Sequence, residues 1–356
     1  MKRIIAATIA ILMLALVCFT GCGSQSGSLQ AIKKEDLKVA FLYVGTIGDL
    51  GYSYAHDQGR KALEEMGIET THVENVPESA ECEATLRQLC DEGYNVIYAT
   101  SFGHGEWVEK VAKDYPNVYF GHATGYIQSE NTENYMGRAY EARYLAGIVA
   151  AMNSPTGKIG YVAAMQIPEV IRGINAFTLG VRSVNPNATV TVKWTNTWFD
   201  VTIEKATALE LINSGCDLIA QHADSTAPQI AAEEKGVKAI GYNSSTPDAA
   251  PTAYLTAPLF HWDVFYKNDI ESIMAGKWQP KSYWGGLKDG MVSLDTLTSN
   301  NVAGTQEAVD AAKAKIEDGS LIIFSGELKD NEGKVRVEAG KSMSDAELQA
   351  FDWFVD

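Results

Sequence analysis

Short apolar runs alternate with amphipathic stretches through the first part of the chain. Runs that predict buried strands stand at residues 38–44, 69–73, 95–100 and 118–120. Stretches with helical periodicity stand between and after them, at 53–66, 79–92, 105–115 and 134–153. Strands separated by helices of this length predict a parallel sheet with right-handed crossovers.

The same alternation begins again further along the chain. Predicted strands lie at 158–163, 189–194, 217–221 and 239–242, and predicted helices at 168–185, 201–214 and 227–235. The last third is less regular, with a strand at 253–256, a helix at 262–274, strand and loop at 283–294, a helix at 305–318 and a hairpin at 324–337. Two similar runs predict two α/β lobes.

We expect the chain to pass between the lobes three times, near Thr156, Tyr254 and Tyr283. Lobe 1 then comprises residues 37–155 plus 254–281, and lobe 2 comprises 156–253 plus 282–356. Three crossings between paired lobes make a hinge. The cleft between the lobes is the expected ligand site.

The first residues indicate export. Lys2 and Arg3 precede an apolar run, which ends in small residues before Cys22, and the Phe19-Thr20-Gly21-Cys22 stretch resembles a bacterial lipoprotein box. Residues 1–22 are therefore interpreted as a signal with Cys22 as the lipid anchor, and 23–36 as a flexible tether. A plain signal peptide or a short membrane helix is the alternative. The expected location is the extracytoplasmic face of the cell membrane.

Charge and cysteine content narrow the possible partners. The formal charge is −16, and loss of Lys2 and Arg3 with the signal would make it −18. Such acidity argues against nucleic acid as a partner. Of the remaining cysteines, Cys82, Cys90 and Cys216 lack metal-ligand spacing and are expected to be buried thiols. We expect no metal and no cofactor, and a monomer.

Candidate ligand residues follow the predicted strands of lobe 1, because ligands of open α/β sheets bind at the carboxyl ends of the strands. After the first strand, Asp49 with Tyr52 and Tyr54 suits a flat ring that forms hydrogen bonds. The alternative for each tyrosine is packing within its own lobe. The other candidates after these strands are Ser53, Phe102, His122 and Thr124.

Lobe 2 supplies the opposing candidates. Trp198 follows a strand, and its indole can stack on an aromatic ligand held against Tyr52. Asp224 and Asp289 can accept hydrogen bonds, although Asp224 can also cap the helix that follows. The loops after the strands also contain His222 and Asn243 and include residues 165–169.

Catalysis and phosphate binding find little support. The glycines after the first strand have neither dinucleotide nor P-loop spacing, and Asp49 would repel phosphate. His222, Asp224 and Ser225 superficially match hydrolase residues, but no nucleophile-elbow motif is present. We therefore expect a binding protein without catalytic residues.

Several stretches in order resemble the basic membrane protein family of ABC-importer lipoproteins, which is related to purine-nucleoside receptors. They are GDLGYSYAHDQGR at 48–60, ATSFG at 99–103, GHATGY at 121–126, IPEVIRGINAF at 167–177, QHADS at 221–225 and DGMVSL at 289–294. The resemblance extends to about Leu297. It implies a type I periplasmic-binding-protein fold, an α/β architecture with two lobes and a three-crossing hinge.

The resemblance also implies site roles. Asp49 matches the family's first-loop acid, Tyr52 replaces its stacking Phe, and Ser53 replaces the Asn that contacts the base. Trp198 matches the second aromatic platform and Asp289 a ribose-binding acid. Thr124 stands where a second ribose acid is usual, and a lysine expected near residue 256 has no match, so a free purine base is favoured over a nucleoside.

The resulting hypothesis is a lipid-anchored receptor that captures an adenine-like purine base or a purine nucleoside and delivers it to ABC permease subunits. One alternative is a sensing module that presents its ligand to a signalling receptor. Others are a receptor for another small heterocyclic or polar ligand, or an exported enzyme.

Overall fold

The computed structural model describes residues 29–356. The predicted signal and Cys22 lie outside these residues. Leu29 and Ile32 already pack on the core, and the Tyr119 hydroxyl donates a hydrogen bond to the Gln30 carbonyl oxygen (2.9 Å). The flexible tether expected over 23–36 is therefore wrong for residues 29–36, whose apolar side chains are held by lobe 1.

Lobe 1 is built on a six-stranded parallel sheet with the order β12-β5-β4-β3-β1-β2, in which β12 (Ser282–Gly285) comes from far along the chain. Its first elements are β1 (Lys38–Leu42), α1 (Tyr52–Glu65), β2 (Glu69–Val73), α2 (Ala80–Asp91), β3 (Val96–Ala99), α3 (Gly105–Asp114), β4 (Tyr119–Ala123) and β5 (Thr132–Gly137). The central strands are almost wholly buried because helices cover both faces of the sheet, which explains their continuous apolar runs.

Lobe 2 contains a five-stranded parallel sheet with the order β10-β9-β8-β6-β7. Its elements are α4 (Ala139–Asn153), β6 (Lys158–Ala163), α5 (Pro168–Val184), β7 (Thr189–Trp194), α6 (Val201–Asn213), β8 (Leu218–His222), α7 (Ala227–Lys235), β9 (Lys238–Ile240) and β10 (Tyr254–Thr256). Local signals fix the helix ends: the Asp200 carboxylate caps α6, and Gly236 (φ 68°) ends α7.

The rest of the chain links and covers the lobes. It forms β11 (Pro258–Phe260), α8 (Trp262–Met274), β12 (Ser282–Gly285), β13 (Val292–Leu294), α9 (Thr305–Glu317), β14 (Leu328–Lys329), β15 (Val335–Val337) and α10 (Asp345–Gln349). Helix α8 packs on α1, and β11 pairs with β13 where the chain passes between lobes. Within residues 29–356, no helix combines the length and apolar character that crossing a bilayer requires.

The element assignments correct the predicted lobe boundaries. The expected helix at 134–153 is strand β5 followed by α4, and α4 packs on α5 and α9 of lobe 2. The first crossing is therefore at Arg138, not near Thr156. Strand β10 belongs to the sheet of lobe 2 and β12 to that of lobe 1, so the predicted boundaries at 254 and 282 each precede the actual crossing.

The free thiols behave as predicted. Cys82, Cys90 and Cys216 are all buried and unpaired. Cys82 and Cys90 lie on the buried face of α2 and pack in the core of lobe 1, and Cys216 packs in the core of lobe 2. Burial raises the pKa of the Cys82 thiol to about 12, so it behaves as a small apolar side chain.

Candidate functional site

A cavity with about 370 Å³ of open space lies between the two lobes, at the carboxyl ends of both sheets. Lobe 1 supplies Val44, Tyr52, Ser101, Phe102 and Thr124. Lobe 2 supplies Ile167, Glu169, Trp198, His222, Asp224 and Tyr242. The cavity therefore lies at the strand ends, where ligand binding was expected, and candidates from both lobes line it.

Aromatic rings form opposite parts of the cavity wall. Tyr52 lies in the first turn of α1 and packs edge-on against His56 and Trp262, with ring centroids 4.5 and 6.1 Å away. Its buried hydroxyl has no hydrogen-bond partner among residues 29–356. Trp198 lies in the loop after β7, and its carbonyl oxygen accepts a hydrogen bond from the Asp224 amide (3.2 Å). Each lobe therefore contributes an aromatic side chain to the cavity lining.

Asp224 places a carboxyl group in the cavity. Burial raises its pKa well above the ordinary value, and the charges of Asp49, Glu204 and Glu169 act in the same direction. One oxygen accepts a hydrogen bond from the Asn243 side-chain amide (3.2 Å). Asn243 thus orients Asp224 and does not itself line the cavity. The capping interpretation of Asp224 finds no support, because the first amide of α7, that of Ala227, donates to the Ser225 hydroxyl oxygen (3.2 Å) and not to Asp224.

Glu169 is a cavity residue that the candidate set missed. It lies in the first turn of α5, directly after the loop that follows β6. Burial raises the pKa of its carboxyl, while Arg172 and Arg143 lower it. The same strand-end rule could have found it, because residues 165–169 were already placed among the cleft loops.

His222 and Tyr242 form the floor of the cavity on the lobe 2 side. Burial lowers the pKa of His222 well below its ordinary value, so the ring is neutral, and its Nδ1 has no partner within the described chain. The His222 and Tyr242 rings lie 4.3 Å apart. The Arg143 guanidinium stacks on the Tyr242 ring, 4.0 Å from its centroid. Tyr242 was also missed, although its loop was recognised.

The Asp49 carboxylate accepts hydrogen bonds from nearby backbone amides. Its carboxylate oxygens accept hydrogen bonds from the amides of Gly51 (2.8 Å), Ser53 (3.0 Å) and Tyr54 (3.1 Å). It therefore shapes the turn into α1 and does not line the cavity. Ser53 is buried behind this turn, and neither it nor Tyr54 reaches the cavity wall. These three placements differ from the predicted ligand roles.

His122 supports the site from behind. Its Nε2 lies 2.9 Å from the Ser101 carbonyl oxygen and 3.2 Å from that of Phe102. Burial lowers its pKa to about 4, so the neutral ring donates from Nε2 and holds the loop that carries Phe102. Thr124 lines the cavity with its backbone in the left-handed region (φ 57°), and its hydroxyl donates to the Ala123 carbonyl oxygen (2.7 Å).

Asp289 lies away from the cavity. Its carboxylate accepts a hydrogen bond from the Gly286 amide (2.8 Å) in the loop between β12 and β13. The side chain is exposed at the surface and lines neither the cavity nor its extension. The ribose-binding role that the resemblance implied for Asp289 therefore does not fit this geometry.

The lobes are in contact at the mouth of the cleft. The Ser244 hydroxyl donates a hydrogen bond to the Leu50 carbonyl oxygen, joining lobe 2 to the first loop of lobe 1. A side chain at Gly51 would overlap the Asp224 carbonyl group. The cavity is thus in a closed arrangement.

A second cavity adjoins the first on the hinge side. It has about 500 Å³ of open space and shares Phe102, Thr124, Ile167 and Glu169 with it. Its far wall includes Trp284, which lies against the guanidinium groups of both Arg138 (4.3 Å) and Arg172 (4.8 Å). The closed cleft therefore has two connected parts, with Glu169 in the wall of each.

Comparisons with known proteins agree with this architecture. The family model for ABC transporter substrate-binding proteins of the PnrA-like type (Bmp) matches residues 36–325. A purine-binding protein from Brucella abortus is 39% identical over 90% of this chain and 93% of its own length. A putative ABC transporter glucose-binding protein from Haloferax volcanii is 42% identical over 82% of this chain and 75% of its own length.

A solved structure supports the fold. An ABC transporter solute-binding protein from Aeropyrum pernix aligns with a TM-score of 0.71 and 22% identity, covering 89% of this chain and 98% of that one. Proteins of this class bind small molecules outside the cytoplasm for a permease and catalyse no reaction. The predicted resemblance and type I binding-protein fold are confirmed: the chain belongs to the PnrA-like (Bmp) family of ABC transporter substrate-binding proteins.

Proposed function

We propose that this protein captures an adenine-like purine base, or less tightly a purine nucleoside, between its lobes and delivers it to an ABC permease. The observation that carries the proposal is the lining of a single cavity by Tyr52, Trp198 and Asp224. Aromatic faces on both lobes suit a planar heterocycle, and a buried carboxyl suits its N–H groups. The purine-binding relative supports the same ligand class.

The polar groups of the cavity favour a free base over a nucleoside. Thr124 replaces the acid that nucleoside receptors are expected to have there, and its hydroxyl is engaged with a backbone carbonyl group. Asp289 lies outside the cavity. A nucleoside would therefore bury ribose hydroxyls with fewer partners, which costs affinity.

Titration calorimetry tests the ligand class directly. Protein freed of co-purified ligand by denaturation and refolding is titrated with adenine, hypoxanthine, adenosine and glucose. We expect saturable 1:1 binding of purine bases, weaker binding of adenosine and no heat from glucose. Glucose is included because of the glucose-binding relative. Saturable glucose binding without purine binding would overturn the proposal.

We further propose that Cys22 carries lipid and holds a monomer at the extracytoplasmic face of the membrane. The lipoprotein-like stretch before Cys22 supports this proposal. Metabolic labelling with an alkyne fatty acid should mark the wild type and spare Cys22→Ser. Size-exclusion chromatography with light scattering should give one chain per particle. An unlabelled wild-type protein in the soluble fraction would contradict the anchor.

A further inference from the structure

Glu169 is an acid of the cleft whose hydrogen-bonding capacity is unused. Its carboxylate lines both the main cavity and the adjoining one. Within residues 29–356, no group donates a hydrogen bond to it, and no basic nitrogen forms an ion pair with it. The side chain is partly exposed, so water can solvate the carboxylate in the free protein. A ligand that displaces this water must supply a donor in its place, because an unpaired carboxylate is costly.

Burial raises the pKa of the Glu169 carboxyl, and the two neighbouring arginines act in the opposite direction without forming a hydrogen bond with it. Arg172 donates to the Leu348 carbonyl oxygen (2.6 Å) and lies against Trp284. Arg143 donates to the Gln221 carbonyl oxygen (2.6 Å) and lies against Tyr242. Both guanidinium groups are therefore held in place by a backbone carbonyl group and an aromatic ring. They stabilise the negative charge of Glu169 through space, while its oxygen lone pairs stay free.

Asp224 is a second acid in the cavity lining, and it differs from Glu169 in having a hydrogen-bond donor from the protein. One of its oxygens already accepts a hydrogen bond from Asn243. A ligand that donates hydrogen bonds to both Asp224 and Glu169 presents N–H groups on two of its edges. A purine with an exocyclic amino group meets this requirement, since it carries one ring N–H and one amino group.

We propose that Glu169 is a specificity-determining residue that accepts a hydrogen bond from the exocyclic amino group of an aminopurine and disfavours oxopurines. The inference rests on the proposed function and adds the chemical class to it. A carbonyl group at the same position would bring two acceptors together with no proton between them. Sites built for an N–H donor reject analogues that lack it because buried groups are left unpaired.

Glu169→Gln tests this selectivity, because the amide has nearly the same shape and can donate to a carbonyl oxygen. Adenine, hypoxanthine and unsubstituted purine are titrated into wild-type and variant protein. We expect wild type to prefer adenine over hypoxanthine by about 10- to 100-fold, the cost of leaving a polar group without its partner in the closed site. In Glu169→Gln this ratio should fall at least 10-fold, while the affinity for unsubstituted purine should change little.

Asp289→Asn is the matched control, because it removes an acid that lies outside the cavity. It should leave all three affinities unchanged. An unaltered adenine-to-hypoxanthine ratio in Glu169→Gln would overturn the inference and leave purine binding intact. An equal loss for all three ligands would assign Glu169 a structural role and also overturn it. If no purine binds the wild type, the proposed function and this inference both fail.

Discussion

At the residue scale, Trp198 is the aromatic side chain whose removal should have the clearest effect on binding. Its backbone is fixed by the hydrogen bond from Asp224, and its indole is half-buried at the cavity wall. The next residue, Phe199, is 39% exposed and does not line the cavity. Adjacent aromatic residues with different surroundings allow a sharp comparison.

Trp198→Ala should weaken adenine binding at least 10-fold, because it removes one face of the proposed ring contact. This corresponds to about 1.4 kcal/mol. Phe199→Ala should bind adenine as wild type does. Calorimetry of both variants decides the matter. Equal affinities for wild type and Trp198→Ala would show that the indole does not contact the ligand.

A second residue-scale feature concerns stability. Glu133 is buried in lobe 1 beside Asp269, with the Trp278 indole N–H (3.2 Å) and the Lys281 ammonium (3.7 Å) on its carboxylate. The Tyr98 hydroxyl donates to Asp269 (2.7 Å). Burial, together with the charge of Asp269, raises the pKa of Glu133 from 4.5 to about 10. The folded protein therefore retains a proton that the unfolded chain releases.

The free energy of unfolding should consequently fall as the pH rises from about 4.5 towards 10, by up to about 1.4 kcal/mol per pH unit. Glu133→Gln removes this proton linkage, so its stability should depend less steeply on pH. Urea unfolding at pH 5, 7 and 9 measures the slope, and Glu332→Gln, at an exposed position, is the control. Parallel slopes for wild type and Glu133→Gln would disprove the linkage.

At the scale of elements, helices α4 and α5 pack with their backbones in contact. A side chain at Gly180 would overlap the Tyr144 carbonyl group, and one at Gly147 would overlap that of Phe177. Gly173 lies on the same helix as Gly180, but its nearest atom would be the His222 Nδ1 at 3.7 Å, an ordinary contact. The close crossing therefore depends on two glycines facing each other.

Gly180→Ala should lower the free energy of unfolding by about 1–3 kcal/mol, because the helices must separate to admit the methyl group. Gly173→Ala should be neutral or stabilising by up to about 1 kcal/mol, since alanine favours helix. Urea denaturation followed by circular dichroism compares them. A Gly180→Ala variant as stable as wild type would show that the helices can shift without cost.

The local sequence pattern predicts whether a segment is a helix or a strand better than it predicts which strands pair with each other. The alternation of strands and helices from β1 to β9 follows the apolar runs. The helix predicted at 134–153 wrongly includes most of β5, because the strong helical pattern of Ala139–Asn153 has no clear sequence signal for its first residue. The pairing of β5 with β12, which lies far along the chain, fixes that segment as a strand.

At the scale of the whole molecule, closure brings the first loop of lobe 1 onto lobe 2. Gly51 faces the Asp224 carbonyl group without room for a side chain. Gly48 lies in the same loop, and a side chain there would make only an ordinary contact, 3.6 Å from the Thr46 hydroxyl oxygen. An alanine at Gly51 should therefore affect both the loop and the closure of the lobes, whereas an alanine at Gly48 should affect the loop alone.

Gly51→Ala should keep the lobes apart, and we expect adenine affinity to fall at least 10-fold with a smaller ligand-induced decrease in the radius of gyration. Only the closed state brings both lobes onto the ligand, so blocking closure removes the differential affinity. Small-angle X-ray scattering with and without adenine measures this change. Gly48→Ala should close normally. Normal closure of Gly51→Ala would refute this account, and thermal melting without ligand checks the fold.

The sequence by itself determined the two α/β lobes, the family and the position of the cleft, because these depend on local periodicity and on contiguous motifs. The tertiary structure decided which lobe holds α4, β10 and β12, since strand pairing joins residues far apart in the chain. It also decided that Asp49 serves its own backbone while Glu169 is left free. Whether a polar side chain is available to a ligand depends on its hydrogen-bond partners, and those partners are set by the packed fold.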